Sequence, residues 1–62
     1  MRRERFEAAH PDVKITFTRP LGMPGIWTGV VPIDGSEKKV TRYDLGAILD
    51  DLEALVTARE TG

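Results

Sequence analysis

The sequence has no cysteine. Disulfide scaffolding, thiolate nucleophiles and cysteine-ligated metal are therefore excluded. It has one histidine, His10, and one serine, Ser36. Ser36 lies in "DGSE", a turn signal, and its spacing from His10 matches no nucleophile-base-acid motif. His10 and Asp12 in "HPD" supply two potential metal ligands, fewer than a metal site needs. Asp50 and Asp51 are neighbours in a helical pattern and point about 100° apart. With Glu53 and Glu60 they read as a solvated acidic face rather than paired catalytic carboxylates. "GMPG" follows a strand pattern, but no helix follows it, so it is not a phosphate loop. We expect no catalytic residues, no metal, no cofactor and no enzymatic activity.

Long apolar runs are also missing. No window approaches the roughly 18 apolar residues of a membrane span. The charged start "MRRERFEAAHP" lacks the apolar stretch of a secretory signal. A cytoplasmic protein without membrane contact is expected. The formal charge of −1 gives no strong field for nucleic acid or an anionic membrane. It is unevenly spread, however. Residues 1–42 carry eight Lys/Arg against five Asp/Glu, and residues 43–62 carry one against five, a split of +3 and −4. Such halves can attract within one chain or between two.

What is present is a clear pattern of elements. Leu45, Ile48, Leu49, Leu52, Leu55 and Val56 line one face of a helix over 41–60. Thr41 is placed as its cap, with Asp44 reaching back and Val40 against Leu45 as a staple. Gly46 suggests close packing there, because it costs about 1 kcal/mol against alanine. Upstream, "DVKITFTR" alternates Val13, Ile15 and Phe17 against Lys14, Thr16 and Thr18, the period of a half-buried strand. "RPLGMPG" is a loop, "IWTGVVPI" a second strand, "DGSE" a turn and "KKVT" a short third strand. Pro32 belongs near a strand end or on an unpaired side. Residues 1–10 can form a short helix or an arm anchored by Phe6 and stopped by Pro11.

The pattern predicts one small α+β domain over 1–62. A three-stranded antiparallel meander spans 12–41, with the long C-terminal helix across one face and a short helix or arm at the N-terminus. Trp27, Gly29, Val31 and Ile33 share the more apolar face of strand two, so Trp27 is expected in the core. Gly29 beside it would let the ring lie over the strand, or would mark a bulge.

Sixty-two residues make a marginal core, and chains without disulfides or metal commonly supplement theirs by association. A helix of about 27 Å on strands of about 17 Å should overhang by roughly 10 Å. This favours a non-enzymatic protein-interaction or regulatory module, bound to itself as a homodimer or to a larger protein. The expected interface is Leu55, Val56, Ala58 and Arg59, with Leu21 and Met23 in the proline-glycine loop.

Nucleic-acid binding is the alternative. Lys14, Thr16, Thr18 and Thr28 on the open sheet face, with Lys38 and Lys39, could contact a groove, and Arg2, Arg3 and Arg5 could lie on phosphate. The order α-β-β-β-α, with Lys38, Lys39 and Arg42 near the start of the last helix, resembles the double-stranded RNA-binding domain. Asp44 and the acidic helix depart from that pattern, and the chain is not assigned to the family.

Overall fold

The computed structural model describes residues 1–61. Its elements are α1 (Arg2–Ala9), β1 (Lys14–Thr18), β2 (Ile26–Ile33), β3 (Ser36–Arg42) and α2 (Leu45–Thr61). The three strands form one antiparallel sheet in the order β1-β2-β3. This is the α+β arrangement expected, with both helices present.

Local chemistry sets the joints. Asp34 and Gly35 have φ of 49° and 80° and connect β2 to β3 in two residues. Positive φ at both central positions is what a tight hairpin with the natural strand twist requires. α1 ends at His10, whose N–H donates to the Phe6 carbonyl at 2.9 Å, and Pro11 follows.

The start of α2 differs from the expected one. β3 continues through Thr41 to Arg42, which pairs with Trp27. Thr41 is thus a strand residue. Asp44 caps instead, its Oδ2 accepting from the Ala47 N–H at 3.0 Å. An aspartate at this position satisfies a free N–H of the first turn and suits the positive helix end.

One face of the sheet meets the helices. Phe6, Val13, Val31, Ile48, Leu49, Leu52 and Val56 form the buried core. Ile15, Trp27, Ile33, Val40, Leu45 and Leu55 pack around it. At Gly29 the helix comes closest: a Cβ there would stand 2.5 Å from Leu52 Cδ2. The small residue therefore admits the Leu52 side chain of α2, not the Trp27 ring. Gly46 has no such role, since an added Cβ would meet only Asp44 Oδ2, at 3.0 Å.

The expected overhang is absent. β2 covers all eight residues of IWTGVVPI, as the sequence pattern has it, and so runs about 26 Å rather than the roughly 17 Å of an average strand. The seventeen residues of α2 also run about 26 Å. Near the helix end, Arg59 Nη1 donates to the Pro32 carbonyl at 3.0 Å. Pro32 is tolerated inside β2 because β1 reaches only to Val30, leaving Pro32 one strand neighbour, Glu37.

Candidate interaction surfaces

The charged halves of the chain meet within the molecule. Arg2 of α1 pairs with Asp50 and Glu53 of α2. Arg42 Nε of β3 lies 2.6 Å from Asp51 Oδ2. Arg59 Nη1 donates to Asp12 Oδ2 at 2.7 Å, and that hydrogen bond holds the Asp12 carboxyl below the ordinary carboxylate range. Hydrogen bonds to Asp50 and Glu53 raise the Arg2 guanidinium further above its already high value. Two sides thus neutralise the acidic helix face, Arg2 from α1 and Arg42 from β3, while Arg59 of α2 ties the helix end to Asp12. Arg3 pairs with Glu7 on α1 at 2.8 Å and lies 5.2 Å over the Trp27 ring.

Trp27 is half-buried at the rim of the core. Its other neighbour is Phe17, with ring centroids 4.7 Å apart and planes tilted by 49°. The Phe17 ring also lies across Gly25, where a Cβ would stand within van der Waals overlap of its tip. Arg3, Trp27 and Phe17 form a cation and aromatic cluster bridging α1, β2 and β1. Trp27 is thus only partly in the core that its strand face predicts.

The residues expected at an interface separate into two groups. Val56 is 3 % exposed and belongs to the core, Leu55 is half-buried, and Arg59 is held by Asp12 and Pro32. Ala58 is exposed on α2. Leu21 and Met23 are exposed in the loop between β1 and β2. That loop curls around a shallow hollow of about 520 Å³ lined by Arg19, Pro20, Leu21, Gly22, Met23 and Pro24.

Phe17 and Tyr43 are also exposed. β1 ends, β2 begins and β3 ends at one end of the sheet, as Thr18 opposite Ile26 and Arg42 opposite Trp27 require. Phe17, Leu21, Met23 and Tyr43 therefore lie toward that end, with Phe17 and Tyr43 on opposite edges of the sheet. Phe17 and Tyr43 were not singled out from sequence as surface residues. The alternation of β1 predicts Phe17 on the core face, and Tyr43 sits between two elements where no period applies.

The nucleic-acid candidates also separate. Lys14, Thr16, Thr18, Thr28 and Lys39 share the open sheet face. Pairing places Lys14, Val30 and Lys39 in one row, and Thr16, Thr28 and Thr41 in the next. Lys38 lies opposite the buried Val31 and so belongs to the helix-side face, at the β3 edge. Arg2, Arg3 and Arg5 are in α1, on the helix layer, away from the lysine row. Among the described residues, no lysine takes part in an ion pair.

Among the described residues, no cluster of three His, Asp or Glu side chains could hold a metal, and no helix is long and apolar enough to cross a membrane. Comparison with known proteins finds no matching family model, no matching curated protein and no matching solved structure.

Proposed function

We propose that the chain is a small non-enzymatic protein-interaction module that associates with copies of itself. The observation that carries this reading is that Phe17, Leu21, Met23 and Tyr43, all exposed, lie toward one end of the sheet. Large apolar side chains grouped on a surface mark contact with another protein. A Leu21 side chain left entirely in water contributes nothing to its own fold. The test is sedimentation equilibrium across a wide concentration range. A mass rising toward twice 6.9 kDa supports the reading. A 6.9 kDa species at every concentration overturns self-association.

A second reading has its own observation. Lys14 and Lys39 flank Val30 on the open face, beside the threonine row, and neither has an acidic partner among the described residues. That face suits phosphate better than the arginines of α1 do. Retention on duplex DNA or RNA at low salt tests it, with Lys14→Glu/Lys39→Glu as the control variant. Two lysine contacts predict a log–log salt slope of about −2. Equal retention of parent and variant removes the reading.

A further inference from the structure

We propose that two copies join through their β1 edges, antiparallel and centred on Thr16, so that two three-stranded sheets become one of six strands. This rests on the self-association reading above and gives it a geometry.

The sheet order leaves β1 and β3 each with one unpaired edge. The two edges differ in chemistry. β3, "SEKKVTR", carries Glu37, Lys38, Lys39 and Arg42. Charges of this density keep a strand edge from pairing with another chain. β1, "KITFT", carries one charge, Lys14, at its first position. It contains no proline, and its register with β2 runs through five successive pairs without a bulge. β1 therefore lacks the devices that guard β3.

The β1 sequence is complementary to itself. Antiparallel partners must share a face, so the pairing can centre on Ile15, Thr16 or Phe17 but not between residues. Only the Thr16 centre overlaps all five strand residues. It sets Lys14 against Thr18 twice, Ile15 against Phe17 twice, and Thr16 against itself. The aromatic and β-branched pair falls on the helix side, the threonine pair falls on the open face, and no like charges meet. Each of these pairings is favourable across strands. Phe17, 50 % exposed in the single copy, gains Ile15 of the second copy as its cover. Continuing the register brings Arg19 and Leu21 of one copy toward the Pro11–Val13 segment of the other. Arg19, in no ion pair among the described residues, then approaches the second copy's Asp12, which Arg59 of that copy already holds.

Position 16 lies on the dyad, which makes the test specific. Thr16→Lys places two lysines opposite each other, and Thr16→Glu places two glutamates. Sedimentation equilibrium should show each variant alone associating about fivefold more weakly than the parent. An equimolar mixture, pairing Lys with Glu, should recover the parent's association. A second variant avoids any dependence on charge. The chain has no cysteine, so Thr16→Cys introduces the only thiol. Facing Cβ atoms about 5 Å apart are near disulfide range. Oxidation of dilute protein should yield a covalent dimer, whereas Thr41→Cys on the β3 edge should not.

Far-ultraviolet circular dichroism confirms that the variants stay folded. If the parent is monomeric throughout, with α1 closing the edge, both this geometry and the self-association reading fail. If the parent dimerises but the Thr16 variants associate like it, or Thr41→Cys cross-links as readily, the β1 edge is overturned and self-association stands.

Discussion

Leu52 occupies the place where a side chain of residue 29 would begin, its Cδ2 lying 2.5 Å from an ideal Cβ built on Gly29. Helix α2 sits directly on the central strand at this point, and Leu52 is fully buried there. Gly29→Ala should cost about 1–3 kcal/mol by overpacking. Leu52→Ala should cost about 2–5 kcal/mol by leaving a cavity. The double variant should lose less than the sum, because the added methyl enters the vacated space. Urea unfolding of the three variants measures this, and strict additivity would show that the two positions do not meet.

The helix cap gives a second expectation. Asp44→Ala should lower stability by about 1 kcal/mol, since the Ala47 N–H loses its acceptor. Thr41→Ala should leave the helix start unaffected. A Thr41 effect equal to that of Asp44 would return the cap to the earlier residue.

pH dependence follows from Asp12. The Arg59 hydrogen bond depresses its folded pKa below the ordinary carboxylate value. The stabilisation is therefore fully present above the unfolded value and is lost as pH falls through the depressed folded value. Thermal melts of the parent and Asp12→Asn should differ at neutral pH and converge in acid. A gap that widens on acidification would contradict the pairing. Both groups reach solvent, so added salt should also narrow the gap.

Trp27 reports on α1. Phe6→Ala removes the buried anchor of that helix and should cost about 3 kcal/mol. As α1 loosens, Arg3 leaves the indole, and quenching of Trp27 by a neutral quencher should rise. Unchanged quenching in a destabilised Phe6 variant would mean that α1 does not shield the ring.

Much of the fold was legible because its periods are clean. Val13, Ile15 and Phe17 alternate at period 2, the α2 leucines recur at helical spacing, and Asp34-Gly35 marks the hairpin. The errors arose where local signals tie or tertiary pairing decides. Thr41 and Asp44 are both good caps, and the choice between them depends on how far β3 pairs with β2. The bounds of β2 were legible as IWTGVVPI, but the overhang rested on the length of an average strand instead of these eight residues. Only the shortness of β1 makes Pro32 acceptable inside β2, and that shortness is a property of the sheet. The split charge was visible in the sequence, but two partners for it were equally open, the chain itself and a second chain. The surface at Phe17 and Tyr43 was the least legible, because exposure at the end of a sheet depends on where each neighbouring element stops.

The ion pairs of Arg2 with Asp50 and Glu53, taken with the buried Phe6, give α1 two moorings of opposite temperament. One is ionic and surface-exposed, so it slackens as the Debye length shrinks. The other is apolar and indifferent to dilute salt, and it strengthens in sulfate. Ionic strength therefore loosens α1 only through Arg2, as it loosens the far end of α2 only through Arg59, and Phe6 keeps the first helix seated when the ion pairs are screened.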